Sequence, residues 1–407
     1  MILDLVFNHS GESDRHGATL SMRGLDNLNY YRHLPGERGI LVNDTGCGNT
    51  LALDHPIAGG LVVDTLAHFV AAAGIDGFRF DLAPVLGREA NGFNPNAALF
   101  QAIRSHPLLC DRIMIAEPWD IGPGGYQLGN FPDDYLEWND RARDDMRRFW
   151  RGDGRMAGAL ATALAGSSPI FGRYGGKRTR SVNFLAAHDG FTLFDLVSHA
   201  HKHNEANGEG NRDGENENHS WNNGAEGPTG DPAILAARDR DRRALLATLF
   251  LSRGVPMLTA GDEIGRTQHG NNNAYCQDNA ALWLDWKGAD RDLAAFVADL
   301  TALRAEHPLL SASTFLSGTG APPDARWLRP DGMPIADEWG RLDAFGLLLN
   351  GDGESLLIAV NRSRNDVTLS LPDGPSQRWQ RLICSAMEGS DDVLPARSVN
   401  LFGRRTG

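Results

Sequence analysis

The stretch DGFRFDLA, Asp76–Ala83, places a cation and an anion side by side in a run that is otherwise apolar or glycine. Residues two apart on a strand point to the same side, so we expect Arg79 and Asp81 to be neighbours near the end of a buried strand. Two interpretations are open at this point. The pair is a structural ion pair, or Arg79 keeps a catalytic carboxylate ionised.

The composition of the chain limits the possible classes of protein. Its 407 residues fit a barrel of roughly 250 residues with a smaller domain attached. An apolar share of 41% and a charged share of 22% are ordinary for a globular protein. The 39 basic and 52 acidic residues give a net charge of −13, which argues against a nucleic-acid partner.

The sequence contains few signals of the cellular compartment or of membrane binding. The four cysteines are scattered and form no C-x-x-C pair, which is typical of reduced thiols and predicts a cytoplasmic location. The N-terminal stretch MILDLVFNHS has no basic region and is not a secretory signal. No apolar run reaches the roughly 18 residues of a membrane span, so we expect no membrane partner.

Several short apolar runs end in polar or charged residues, with helical patterns between them. Such runs are typical of buried parallel strands. Polar groups at the carboxyl ends of the strands predict a (β/α)8-type TIM barrel, whose catalytic groups come from those ends. A doubly wound open sheet is the alternative, although no glycine-rich phosphate loop follows a strand. The runs are ILDLVF (2–7), GFRF (77–80), RIMIAE (112–117), SVNFLAA (181–187) and VPMLTAG (255–261).

Two of the intervening helices are clear from their periodicity. Asp64 is a candidate N-cap for a helix with apolar residues at Leu66 and Phe69 that stops at Gly74. A second helix is predicted over residues 239–254, directly before the strand at Val255.

The remaining organisation follows from two changes of composition. Residues 201–231 are dominated by Asn, Gly, Glu and Asp, so the stretch is either disordered or an ordered wall of a binding cleft, and Trp221 favours the wall. After about residue 310, short β-like runs alternate with Gly, Asp and Pro. We therefore predict a catalytic barrel over 1–310 and an antiparallel β-sandwich domain over 311–407.

The polar residues at the strand ends suggest one kind of chemistry. Retaining glycoside hydrolysis needs two carboxyl groups that flank the scissile bond, one of them ionised and the other protonated. Asp81, beside Arg79, suits the ionised nucleophile, and Glu117, preceded by apolar residues, suits the protonated acid. Asp189 follows another strand and is a candidate for binding sugar hydroxyls. No histidine spacing supports a zinc site.

Four short motifs carry a resemblance to a known family. The sequence resembles glycoside hydrolase family 13, the α-amylase superfamily, in DLVFNH (4–9), GFRFDLA (77–83), AEPWD (116–120) and FLAAHD (184–189). The resemblance implies that Asp81 is the nucleophile, Glu117 the general acid/base and Asp189 the stabiliser of the transition state. Substrate-binding residues and structural supports are implied as well. The former are His9, Arg79, His188, Trp119 and Asn49, and the latter Asp4 and Asn8.

Further motifs narrow the resemblance to the isoamylase-type debranching members of that family. They include NYYR (29–32), GCGNTL (46–51) and the asparagine-rich stretch 205–229. The resemblance implies retaining hydrolysis of α-1,6 branch linkages in glycogen or phosphorylase limit dextrin, through a glycosyl-enzyme intermediate, with no cofactor or metal.

The resemblance begins at what should be the third barrel strand. We therefore expect a barrel that lacks its first two β/α units and the N-terminal β-sandwich that precedes them in the family. A barrel with open edges is a liability for folding. The alternatives are a catalytically silent glucan-binding fragment of a longer enzyme and an α-1,4-acting amylase or transglycosylase.

Overall fold

The computed structural model describes residues 1–351, 353–372, 378–386 and 390–405. The chain divides into two compact units, Met1–Trp138 and Asn139–Gly407. Each unit combines helices with a parallel set of strands, which confirms the predicted α/β class. The domain boundary predicted at residue 311 stays a prediction.

The first unit is built on four parallel strands in the order β1-β4-β7-β8. Their register places Asp4 opposite Arg79 and Arg79 opposite Ile115. The polar side chains of Asp4 and Arg79 therefore lie on neighbouring strands at one level of the sheet. The elements of this unit are β1 Ile2–Leu5, α1 Met22–Tyr30, β2 His33–Leu34, β3 Glu37–Leu41, α2 Pro56–Ala73, β4 Gly77–Phe80, β5 Arg88–Glu89, β6 Gly92–Phe93, α3 Ala98–Ser105, β7 Ile113–Ala116 and β8 Tyr135–Trp138.

Strand β4 is buried along its whole length and lies between β1 and β7. Its apolar side chains Phe78 and Phe80 join a core with Phe100 and Tyr135. Gly77 begins the strand because a Cβ atom there would lie 2.3 Å from the carbonyl oxygen of Ile113. The strand is therefore held between its neighbours by backbone pairing and by aromatic packing.

Helix α2 ends where the sequence predicts but begins earlier. Gly74 caps it in the left-handed conformation at φ +63°, as expected. The prediction that Asp64 is the N-cap is wrong. The helix begins at Pro56, and the His55 side chain accepts a hydrogen bond from the Ile57 N–H. Proline is favoured in the first turn because that position needs no N–H donor, and the cap therefore moves to His55.

The same helix bears on the membrane prediction. Helix α2 has 18 residues and a mean hydropathy of 1.5, so by length and composition alone it could cross a membrane, against the expectation from the sequence. The core helix of a globular protein passes the same test. Ala58, Val62 and Leu66 of α2 are buried in the core of the first unit, although only 22% of the helix is buried in all.

The second unit contains the parallel pair β9-β10 and a set of packed helices. Its longest helix, α8, begins with Pro232 and is capped by the Asp231 side chain, seven residues before the predicted start. The elements that precede the C-terminal sheet are α4 Asp140–Arg151, α5 Ala157–Leu164, α6 Ser168–Phe171, β9 Ser181–Phe184, α7 Leu193–Leu196, α8 Pro232–Leu251, β10 Val255–Met257, α9 Arg291–Glu306 and α10 Pro308–Ser311.

The C-terminal part of the second unit forms antiparallel β structure. A five-stranded sheet has the order β11-β12-β13-β17-β15, and β14 pairs with β16. The short β-like runs predicted after about residue 310 contribute strands: FGLLLN (345–350) lies in β12, ESLLIAVN (354–361) is β13, VTLSL (367–371) contains β14 and QRLICSA (380–386) contains β15. The strands are β11 Ala325–Leu328, β12 Ala344–Gly351, β13 Glu354–Asn361, β14 Val367–Thr368, β15 Gln380–Cys384, β16 Val393–Leu394 and β17 Ser398–Arg405.

The long polar stretch 201–231 has little regular structure but is held by side-chain hydrogen bonds. The Trp221 indole N–H donates to Asp241 Oδ2 at 2.7 Å. The Glu226 carboxylate accepts from the backbone N–H groups of Ala200 and His201. The stretch is therefore ordered, and the interpretation as a disordered excursion is wrong.

Substitutions at two glycines, one inside helix α2 and one at its cap, can test where the helix ends. Gly60 lies inside the helix and Gly74 is the left-handed cap, and both have open space where a Cβ atom would stand. We expect Gly60→Ala to raise the free energy of unfolding by about 0.5–1 kcal/mol. Gly74→Ala should lower the free energy of unfolding by about 1 kcal/mol, because Gly74, unlike Gly60, has a positive φ. Urea unfolding measures both, and equal signs would contradict the assigned helix end.

Candidate active site

Arg79 is the centre of a charge cluster in the first unit. Its side chain is only 5% exposed. Nη1 donates to Asp4 Oδ1 at 2.8 Å and to Asp81 Oδ1 at 2.9 Å. Nη2 lies 3.0 Å from Glu117 Oε2. The strand register brings these groups together, since Asp4 is the direct neighbour of Arg79 across β1 and β4.

The guanidinium group is also covered by an aromatic ring. Cζ of Arg79 lies 4.2 Å from the ring centroid of the buried Trp138. A cation over an indole face at this distance is attracted by the ring quadrupole. Trp138 therefore fixes the plane of Arg79.

Asp81 is oriented by partners on both sides. Besides the bond from Arg79 to Oδ1, Asn8 Nδ2 donates to Oδ2 at 2.9 Å. The same Asn8 amide donates to the Asp81 carbonyl oxygen at 2.9 Å. Each carboxylate oxygen thus accepts one hydrogen bond, and the side chain has a single defined orientation. Asn8 therefore orients Asp81 through both the side chain and the backbone carbonyl group of Asp81.

Glu117 has a different environment from Asp81. It is buried at the end of β7, and its Oε2 accepts a hydrogen bond from the Leu82 N–H at 2.7 Å. Burial is the main reason why the pKa of Glu117 is raised to about 7; the charge of Arg79 opposes the shift, and the nearby Asp81 carboxylate contributes to it. Glu117 is therefore a carboxyl group that is partly protonated near neutral pH.

The Leu82 N–H reaches Glu117 because the backbone turns sharply after Asp81. Leu82 has φ +42° and ψ 51°, in the left-handed region that a non-glycine residue rarely adopts. Such a conformation costs of order 1–3 kcal/mol and is found mostly at functional sites. Here the turn joins the two candidate catalytic carboxyl groups through the backbone.

His9 lies in the loop after β1. Its Nδ1 is 2.5 Å from Asn8 Oδ1, so the ring is tied to the residue that binds Asp81. Partial burial lowers the pKa of His9, although the Asp81 carboxylate opposes the shift. His9 is therefore a neutral ring beside the carboxylate cluster, able to exchange hydrogen bonds with a hydroxyl group.

The loop that carries His9 is anchored by a glutamate that the sequence analysis missed. Glu12 is buried and accepts hydrogen bonds from the N–H groups of Leu20, Ser21 and Arg23. Tyr31 Oη donates to Glu12 Oε2 at 2.5 Å. Burial would raise the pKa of Glu12, but these hydrogen bonds lower it to about 2. The only signal for Glu12 in the sequence is that it lies three residues after His9, a predicted site residue.

Asn49 is fully buried and supports the same loop. Its Nδ2 donates to the Ser10 carbonyl oxygen at 3.1 Å and to Ser10 Oγ at 3.0 Å. The Ser10 N–H donates to Asn49 Oδ1 at 3.2 Å. The amide of Asn49 is thus engaged with the backbone next to His9.

The segment after Glu117 has its own anchor. Trp119 is half-buried, and the next residue, Asp120, accepts two hydrogen bonds from Arg88 Nη2 at 2.5 and 2.6 Å. Arg88 Nε also lies 3.4 Å from Asp44 Oδ2. This buried ion pair anchors Asp120, the residue next to Trp119, and it could not be predicted because Arg88 lies at no predicted strand end.

A cleft of about 470 Å³ lies in the first unit. Asp14, His16, Asn43 and Cys47 are among its lining residues, whereas the predicted site residues are not among the described residues that line it. Partial burial raises the pKa of the Cys47 thiol, and the charge of the Asp81 carboxylate adds to the shift.

His188 and Asp189 belong to the second unit and lie in the turn four and five residues after the end of β9, which stops at Phe184, earlier than the predicted run 181–187. His188 Nε2 is 3.5 Å from Asp189 Oδ2, and the two side chains are 55% and 73% exposed. Both are accessible to a ligand from solvent. Their predicted convergence with Asp81 and Glu117 stays a prediction.

Metal binding has no support among the residues that the structure describes. Within those ranges, no three His, Cys, Asp or Glu side chains are grouped closely enough to hold an ion.

The fold of the chain is similar to that of a solved carbohydrate-active enzyme. Pullulanase from Anoxybacillus sp. LM18-11, in a crystal structure with maltotetraose, superposes with a TM-score of 0.73 at 21% identity over 99% of this chain and 54% of the pullulanase. At that identity the likeness shows the fold alone. No family model matches the chain.

Curated relatives are much more similar in sequence. The glycogen debranching enzyme of Serratia proteamaculans is 49% identical over 97% of this chain. The glycogen operon protein GlgX homolog of Mycobacterium tuberculosis (strain H37Rv) is 44% identical over 93% of it. The chain spans 58% and 56% of these relatives. The resemblance predicted from the sequence is confirmed, and over nearly its whole length the chain is homologous to bacterial glycogen debranching enzymes.

The pKa of Glu117 can be tested without any activity. We expect Asp81→Asn to bring it below the value near 7, because the substitution removes the closest anion and leaves Arg79 to act on Glu117. A carbon-13 carboxyl NMR titration of the wild type and the variant measures the shift. Asp133→Asn, at an exposed position of the same unit, is the control. An unchanged or higher pKa in Asp81→Asn would contradict the assigned electrostatics.

Proposed function

We propose that this chain carries out the catalytic step of glycogen debranching, the retaining hydrolysis of α-1,6-glucosidic branch linkages. The observation that carries the proposal is the asymmetry around Arg79. One carboxyl group, Asp81, accepts hydrogen bonds on both oxygens, and the other, Glu117, is buried with a pKa near 7. Retaining glycosidases require a nucleophile and an acid with this difference. The names of the homologues point to the same substrate.

The reaction follows from the two roles. In the first step an Asp81 oxygen attacks the anomeric carbon of the branch. The bond from that carbon to the C6 oxygen of the glucan chain that carries the branch breaks, and Glu117 gives its proton to this oxygen. In the second step the ionised Glu117 takes a proton from water, the water oxygen bonds to the anomeric carbon, and Asp81 leaves as a carboxylate. Arg79 stays charged throughout and offsets the negative charge that alternates between the two groups.

The other predicted residues have supporting roles in this proposal. Asp189 stabilises the oxocarbenium-like transition state through the sugar hydroxyls, and His9, His188 and Trp119 contact the sugar. Asp4 and Asn8 orient Arg79 and Asp81. We assign Asn49 to the support of the His9 loop rather than to the substrate, because its side chain is fully buried against Ser10.

The wider setting is part of the same proposal. The substrate is a branched α-glucan such as glycogen or limit dextrin, no cofactor is needed, and the location is cytoplasmic. The architecture is a TIM barrel over 1–310, with a β-sandwich domain over 311–407. The complex of the structurally similar pullulanase with maltotetraose supports a linear α-glucan chain as the ligand.

One observation favours a second candidate, a chain that binds glucan without hydrolysing it. Among the described residues, β1 pairs with β4 along one side only, and Met1, Ile2 and Val6 are exposed apolar residues at that edge. An unpaired apolar edge is typical of a strand that needs a further partner. In this alternative the carboxyl groups bind sugar but are not aligned for turnover.

The two candidates differ in one assay. Phosphorylase-trimmed glycogen is incubated with the chain, and the release of short maltooligosaccharides is measured. We expect release, with Glu117→Gln lowering kcat by roughly 10²–10⁴-fold because the general acid is lost. Binding of glucan without release would overturn the hydrolase assignment in favour of the alternative.

The same assay has an internal control and a pH dependence. Glu37→Gln changes an exposed glutamate of β3 and should leave the rate unchanged.

Because Glu117 must be protonated to act, kcat/KM should fall as the pH rises through about 7. NMR of the first product should show the α-anomer, and an initial β-anomer would contradict retention.

A further inference from the structure

Three buried asparagines in the second unit form a connected group, which we call the asparagine cluster: Asn204, Asn218 and Asn272. They come from the polar stretch 201–231 and from the segment after Asp262. Asn204 and Asn272 bond reciprocally. Asn204 Nδ2 donates to Asn272 Oδ1 at 2.8 Å, and the Asn272 N–H donates to Asn204 Oδ1 at 2.9 Å.

The side chain of Asn272 uses all its polar groups within the cluster. Its Nδ2 donates to Asn218 Oδ1 at 2.9 Å and to the Glu215 carbonyl oxygen at 2.7 Å, while its Oδ1 accepts from Asn204. A buried amide with every hydrogen bond made is rigid, because any rotation leaves a polar group unpaired at a cost of about 1–3 kcal/mol. The backbone at Asn272 is therefore held in one position.

That backbone is the partner of the turn that carries Asp189. The Gly190 N–H donates to the Asn272 carbonyl oxygen at 2.9 Å. On the other side of the turn, Arg147 Nε donates to the Leu185 carbonyl oxygen at 2.9 Å, and Arg147 Nη1 donates to the Asn218 carbonyl oxygen at 3.0 Å. The turn is thus attached to the cluster at both ends.

We propose that the asparagine cluster is a positioning device for the Asp189 carboxylate, with Asn272 as its central residue. The cluster does not touch the sugar. It fixes the peptide that follows Asp189, and through it the direction of an exposed side chain that lies beside His188. The inference rests on the proposed function, because it gives the cluster a role in the step that Asp189 assists.

A structural role alone would have a different signature. A cluster that only stabilises the fold would change the free energy of unfolding but not the rate of the folded enzyme. A positioning residue for a group that acts in the transition state lowers kcat and kcat/KM together and leaves KM unchanged. A displacement of about 1 Å at such a group costs on the order of 100-fold in rate.

The first experiment measures position without activity. Hydrogen exchange followed by mass spectrometry is compared in the wild type, Asn272→Asp and Asn218→Ala. The carboxylate introduced by Asn272→Asp would face the Glu215 carbonyl oxygen and Asn218 Oδ1, two acceptors that repel it. We therefore expect faster exchange in the peptide that contains Gly190, with the core of α8 unchanged. Asn216→Asp, at an exposed position in the same stretch, is the matched control and should exchange like the wild type.

The second experiment is a double-mutant cycle on the release of maltooligosaccharides, with Asn272→Asp and Asp189→Asn. We expect Asn272→Asp to lower kcat by about 10- to 100-fold with KM within about twofold of the wild type. In the Asp189→Asn background it should have no further effect on kcat. If Asn272→Asp does not fold, Asn218→Ala replaces it in the cycle.

The outcomes separate the two proposals. Unchanged exchange at Gly190, or equal losses of kcat in both backgrounds, would overturn the positioning role. If the wild-type chain releases no sugar, the proposed function fails, while the exchange experiment still decides whether the cluster holds the turn.

Discussion

One buried cation shared by three carboxyl groups is the constraint on which the candidate site depends. Taking a guanidinium out of water costs several kcal/mol unless it is paired, and Arg79 has Asp4, Asp81 and Glu117 within 3.0 Å. Three acidic groups around one cation leave an excess of negative charge if all are ionised. The exposed fractions of their side chains differ, at 52%, 22% and 11% for Asp4, Asp81 and Glu117. The most buried group, Glu117, has a pKa that burial raises to about 7, and this difference is the basis of the proposed roles.

Strand register makes this cluster possible. Asp4 and Arg79 face each other across β1 and β4, and the Glu117 N–H donates to the Phe80 carbonyl oxygen at the end of β7. A shift of one residue in either pairing would turn the charged side chains to the other face of the sheet. The aromatic core beneath β4 resists such a shift. Apolar packing by Phe78 and Phe80 therefore stabilises the strand register that brings the charged side chains together.

The strands and the strand-end residues could be predicted because both signals are local. An apolar run predicts a strand, and the polar residue after it marks its end, as at Asp81 and Glu117, whereas β9 ends five residues before Asp189. The start of α2 was missed because Asp64 has the composition of a cap, although Pro56 fits the first turn. Strand β8, YLEW, was missed because its run is short and contains a glutamate. Glu12 and Arg88 were missed for a different reason, since their partners are distant in the sequence.

The asparagine-rich stretch shows how composition can mislead. Polar, glycine-containing sequence resembles disorder because it has little apolar surface to bury. An amide side chain, however, both donates and accepts, so several of them can be buried together with no charge to compensate. Asp189 explains why such a group is useful here. An exposed carboxylate on a turn has little packing around its own side chain, so the backbone sets the position from which it extends. A neutral, fully hydrogen-bonded cluster fixes that backbone without adding a charge beside the carboxylate.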